Sequence, residues 1–224
     1  MDKLCYIFLY FVFYSIIGYV CEVFYVYLGD KKWVNRGFLH GPYIPIYGNG
    51  AMIVSLALMH VKKDSFIIFL VGLVLCSLLE YITSYVMEKI FHNRWWDYSE
   101  RKYNLNGRVC LQNSVLFGLG SVAIIYVFNP LFNKLYNALG FKTALYVAIV
   151  LFIIMLVDFS ISFFEAIKVS NIASHLDKFM EEFEKKKEST KRIKTRLMEA
   201  YPYLVKRNFK FLDKINNYKK KSKN

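Results

Sequence analysis

Apolar residues in this chain gather into five long blocks, separated by short connectors rich in charge. The blocks are residues 4–28, 43–61, 65–91, 112–136 and 142–168. A bilayer core about 30 Å thick takes roughly 20 helical residues to cross. Backbone groups in lipid must bond within their own segment, so each block predicts a helix. A β-barrel would need ten-residue segments alternating between apolar and polar, and the chain lacks that alternation. The pattern predicts an all-α fold, a polytopic membrane helical bundle of about five spans. The first block is too long for a signal-peptide core, and no small-x-small cleavage site follows it, so it reads as a retained span.

The second block differs from the rest. Pro45 cannot extend a helix backwards from Ile46. Residues 46–61 would make a helix of about 24 Å, short of the hydrocarbon thickness. The preceding segment holds Gly37, Gly41 and Gly48 with Pro42 and Pro45. It is expected to make up the missing depth as non-helical backbone, which survives there only when buried in protein or facing a polar cavity.

Beyond residue 168 the pattern changes. Ile172, Leu176, Phe179, Phe183, Ile193 and Leu197 recur at helical steps, then Leu204, Phe209, Phe211, Leu212 and Ile215 continue with Lys and Arg between them. The organisation expected is a transmembrane domain over 1–168 and a cytoplasmic basic helical tail over 169–224. An amphipathic helix lying on the membrane surface fits this tail better than a coiled coil, because the stripe is interrupted.

Composition sharpens the reading where charge is concerned. Hydrophobic residues make up 56% of the chain and the formal net charge is +13. The tail carries 17 Lys/Arg against 7 Asp/Glu from Lys168 onward, so the basicity is mostly its own. Anionic lipid headgroups are its expected partner and nucleic acid is not. With the tail inside, the basic connectors 29–42 and 92–111 face the cytoplasm, and the N-terminus lies outside the cell membrane. Cys5, Cys21, Cys76 and Cys110 are dispersed and read as small apolar residues.

Candidate chemistry lies in the acidic residues that the blocks retain. A charge at mid-bilayer costs at least about 2.5 kcal/mol on insertion scales. Glu22, Glu80, Glu88, Asp158 and Glu165 are nevertheless present, on polar stripes. Ser77, Glu80, Ser84 and Glu88 share one helix face; so do Asp158, Ser162 and Glu165, and Ser15, Gly18 and Glu22. Converging stripes predict a polar cavity open to the cytoplasm that binds a cation, a proton or a polar substrate. The plainer alternative is that Arg36, Arg94, Arg108 and Lys168 pair with these carboxylates and knit the helix ends together. His40 is a weaker ligand candidate, and Trp95, Trp96 and Tyr98 read as interfacial anchors. No GxxxxGK[ST], HExxH or GxSxG motif and no metal-spaced Cys/His cluster occurs. No cofactor is expected, and ATP hydrolysis of the P-loop kind is excluded for this chain.

The string Asn35-Arg36-Gly37-Phe38-Leu39-His40-Gly41-Pro42-Tyr43-Ile44-Pro45-Ile46-Tyr47-Gly48, then Trp95, Asp97 and Tyr98, then Asn106-Gly107-Arg108-Val109, resembles the ABC-transporter type IV (CmpB-like) membrane proteins. The resemblance covers roughly residues 4–130. It implies a permease-like subunit that works with a separate ATPase subunit, and it brings no assigned site residues. Three functions follow as expectations: a transport component with a carboxylate-lined cavity; a membrane-embedded enzyme acting on a lipid-linked or amphiphilic substrate, with Glu80 or Glu22 as general base; or a membrane scaffold with a lipid-binding tail. A homo-oligomer is compatible with each.

Overall fold

The computed structural model describes residues 2–31, 33, 35, 37–58 and 64–182. Asp64 illustrates how local sequence starts an element. Its carboxylate accepts from the amides of Phe66 and Ile67, capping helix α3 (Ser65–Phe91), which stops where His92 turns left-handed at φ 56°. Helix α1 (Asp2–Asp30) precedes it, with the short α2 (Pro45–Ala57) between them. After α3, strands β1 (Asn104–Leu105) and β2 (Val109–Cys110) form a small antiparallel hairpin. Asn106 and Gly107 make its turn, both with positive φ (53° and 68°), as a tight hairpin requires.

The next helix is continuous but irregular. α4 (Leu111–Ala123) passes through a π-helical turn, Ile124–Phe128, into α5 (Asn129–Leu139). Pro130 has no amide to donate, which accounts for the loosened turn just before it. Gly140 leads into α6 (Phe141–Glu182), 42 residues and about 63 Å long. That is about twice the hydrocarbon thickness. The sequence block ended at Lys168, yet the helix runs on to Glu182. The remainder of the expected amphipathic tail lies outside the described residues.

Among the described residues, four helical stretches are long and apolar enough to cross a membrane: Lys3–Leu28, Ser65–Phe91, Leu111–Leu139 and Phe141–Val169. The second apolar block yields only α2, 13 residues or about 20 Å. Its contacts fix its direction. Tyr47 packs on Gly18, Gly48 on Phe11 and Ser15, and Ala51 meets Tyr10, so α2 runs antiparallel to α1. Gly50 faces Cys76 and Leu79, and Val54 and Leu58 cluster with Ile68, so α2 is also antiparallel to α3. α1 and α3 therefore point the same way, and the chain returns between them through 37–57. The amide of Ile44 donates to the carbonyl of Ser15 at 2.9 Å, halfway along α1. Segment 37–44 thus fills, without helix, the half of the bundle that α2 does not reach.

The core is aromatic. Tyr10, Tyr14 and Phe132 are buried with Ala144 and Ala148, which brings α1, α5 and α6 together. Inside it lies a polar hub. Tyr10 and Tyr14 both donate to Asn129 Oδ1 at 2.7 Å, and the Asn129 amide donates to Ser55 Oγ at 3.3 Å. Large apolar side chains on α3, α4 and α6 point outward, as lipid-facing surfaces do.

Candidate functional site

The carboxylates predicted from sequence fall into three groups, all in the half of the bundle that holds segment 37–44 and the 92–110 connector.

The first group belongs to α6 and segment 37–44. Asp158 accepts from the backbone amides of His40 (3.0 Å) and Gly41 (2.9 Å), and from the Tyr43 hydroxyl. His40 Nδ1 lies 2.9 Å from Ser162 Oγ, and its Nε2 lies 3.1 Å from Glu165. The predicted stripe Asp158–Ser162–Glu165 is therefore one face, read by one histidine. Asp158 holds irregular backbone in place, because amides in a helix-free stretch need an acceptor from elsewhere. Phe38 continues the contact, packing on Phe91, Trp95 and Phe159.

The second group joins α3 to the hairpin connector. Glu88 takes Arg94 Nε at 2.9 Å and Arg108 Nη2 at 2.7 Å. Arg108, only 8% exposed, also reaches Ser84 Oγ and lies over the rings of Tyr81 and Tyr85. Here the knitting alternative holds: two guanidiniums neutralise one carboxylate. Arg108→Ala should lower thermal stability in detergent by about 2 kcal/mol, since it strips a charged hydrogen bond from a mostly buried carboxylate. Arg108→Lys should recover little of it, because an ammonium cannot span Ser84, Glu88 and two rings. A melting curve unchanged in both variants would show the pair to be structurally idle.

The third group is different. Glu80 is 6% exposed, near the middle of α3. Tyr98 donates to its Oε1 at 3.1 Å, while Oε2 is closed to solvent and has no hydrogen-bond partner among the described residues. Glu22 of α1 accepts from Tyr47 at 2.7 Å. The Tyr98 phenol, in the connector, is pushed well above its ordinary range, first by burial and then by the charges of Glu80 and Glu22. The phenol therefore stays protonated, and its hydroxyl donates to Glu80. Among the described residues no Lys, Arg or His pairs with Glu22 or Glu80.

The structure thus brings Tyr47 to Glu22, Tyr98 to Glu80, Arg94 and Arg108 to Glu88, and His40 to both Asp158 and Glu165. It does not join Asp158 to Glu80. Arg36 lies outside the described residues. Among those described, no three His, Cys, Asp or Glu side chains gather as metal ligands would. Tyr47 and Tyr98 orient the third group, and neither is among the site residues expected from the sequence. Tyr98 reads as an interfacial anchor from its neighbours Trp95 and Trp96, yet its hydroxyl turns inward. The Tyr6, Tyr10 and Tyr14 ladder at i, i+4 and i+8 was the available signal for the polar hub.

Helices of membrane length and apolar composition define a polytopic helical membrane protein. The family described as Putative ABC-transporter type IV matches residues 9–163, and the chain belongs to that family. The match extends past the expected residue 130 to include Asp158 and Ser162, and stops short of Glu165. Comparison with curated proteins and with solved structures gives no match.

Proposed function

We propose that this chain is a permease-like membrane subunit whose cargo or coupling-ion site is the Glu22–Glu80 pair. The observation that carries this reading is Glu80: a carboxyl group buried in a membrane-length helix, with one oxygen that has no partner among the described residues. Structural carboxylates in this bundle are matched by donors, as Glu88 and Asp158 are. An unmatched one is the expensive kind that function retains. In this reading the second apolar block is a fifth, discontinuous crossing, made by segment 37–44 and α2 together. The N-terminus is outside and the tail is cytoplasmic, lying on anionic headgroups. Segment 37–44 shapes the entrance, and a separate ATPase subunit supplies energy.

Aqueous access separates transport from scaffolding. Glu22→Cys, placed in a chain with its four native cysteines replaced, should react with a membrane-impermeant thiol reagent applied to the cytoplasmic face of inverted vesicles. The reagent applied to the outer face should label it far more slowly. Equal protection from both faces, in a correctly inserted protein, would leave a sealed bundle and a scaffold role.

A further inference from the structure

The charge state of this pair can be taken further, and the step rests on the transporter reading only for its use. Glu80 Oε2 exposes less than 1 Å² and has no donor among the described residues. A metal ion or an ammonium group needs room beside that oxygen, and water cannot reach it. An ionised carboxylate there would leave one oxygen unsolvated, with the charge of Glu22 acting on it and no cation paired with it among the described residues. The ligand that fits without volume is a proton. From geometry, we propose that Glu80 carries a proton on Oε2 in this conformation, so that Glu22 and Glu80 together form a one-proton site.

The surroundings agree from each side. Glu22 faces the site from α1, Tyr47 from α2 and Cys76 from α3 itself. Tyr98 faces it from the connector, with Cys110 beside Tyr98 where α4 begins. All of these are acids, and none supplies a positive charge. Arg94 and Arg108 are held by Glu88, two turns further along α3. The carboxylates of α6 are engaged with segment 37–44. With Tyr98 donating to Oε1, hydrogen on Oε2 leaves that bond intact. Opening the site to water would let Glu80 ionise and release that proton. Reclosure would require taking one up, so each cycle would be tied to one proton.

Infrared spectroscopy of the purified full-length protein in detergent tests this. At neutral pH the wild type should show a carboxylic-acid carbonyl band that is absent in Glu80→Gln. Glu22→Gln should keep the band at neutral pH and lose it at lower pH than the wild type, because the neighbouring negative charge that discourages ionisation has gone. Glu80→Asp serves as the second variant: it should keep a shifted acid band even if its stability falls. Identical acid-region spectra for wild type and Glu80→Gln, with matched melting curves, would overturn the proton assignment. This experiment is blind to transport. A missing band would leave the permease reading standing, and a sealed Glu22→Cys site would leave the proton standing.

Discussion

Replacing Gly48 by alanine should destabilise the bundle by about 3 kcal/mol, at the upper end of what one added methyl does to a packed core. A Cβ at this position would lie 2.5 Å from the carbonyl oxygen of Phe11 and against the Ser15 hydroxyl. The Phe11 carbonyl belongs to the backbone of α1 and already accepts from Ser15 Oγ at 2.7 Å. No rotamer relieves the contact, so α1 and α2 must move apart. Gly50, two residues on in the same helix, is the control. Its Cβ would meet Cys76 Sγ and Leu79 at 3.6 and 3.7 Å, ordinary packing distances. Gly50→Ala should be neutral or stabilising by up to about 1 kcal/mol, through helix propensity alone. Thermal unfolding of the two variants in one detergent decides the matter. A Gly48→Ala protein melting with the wild type would mean that α1 and α2 are not in this close contact.

The three carboxylate groups give the bundle an internal logic. Glu88 fastens the hairpin connector to α3, and Asp158 fastens segment 37–44 to α6. Both are anchored by donors with fixed positions: guanidiniums in one case, backbone amides in the other. What remains between the two fastenings is Glu22 with Glu80, supported only by phenols. The Gly48 seam sets how closely α1, which carries Glu22, and α2, which carries Tyr47, can approach. Separating them would therefore affect the site as well as stability.

Much of this was legible in the sequence, and the limit was geometric. The apolar block 65–91 coincides with α3, and the structure shows why it ends there: Asp64 caps its start and His92 turns left-handed after it. The shortfall of the second block was readable from Pro45 and from length alone. Helical steps also gave the right faces: Asp158, Ser162 and Glu165 do share one. Periodicity, however, fixes a side chain's face on its own helix and says nothing of how the neighbouring helix is rotated. The sequence therefore gave no reason to separate Asp158 from Glu80. Segment 37–44 decided it, since its amides needed an acceptor and α6 offered one. His40 looked weak in isolation for the same reason. Its partners lie 118 to 125 positions away, and only the non-helical path brings it to them. A Cβ at Gly120 would meet nothing within 4 Å, whereas one at Gly118 would meet the Phe69 ring, a difference that helical spacing alone does not give.

Asp158→Ala should release segment 37–44 while leaving the long helices formed. The side chain is 12% exposed and accepts from two backbone amides and the Tyr43 hydroxyl. Removing it strands three donors in the bundle. An unsatisfied buried group costs about 1–3 kcal/mol, and water entering beside the exposed His40 ring offsets part of that, so a loss of about 3 kcal/mol is expected. Asp158→Asn keeps one acceptor oxygen and presents an NH₂ to the donors the other oxygen served, so its loss should be intermediate. Amide hydrogen exchange gives the clearest reading, because it resolves the segment from the helices. Exchange should accelerate at Gly41, Tyr43 and Ile44, while Val54 in α2 and Ile68 in α3 stay protected. Uniform acceleration would mean that Asp158 supports the whole bundle, and unchanged exchange at Gly41 would mean that its amide is satisfied elsewhere. Local release is the outcome the geometry favours, because α2 keeps its own contacts with Gly18, Ser15 and Tyr10 whether or not the segment before it is held.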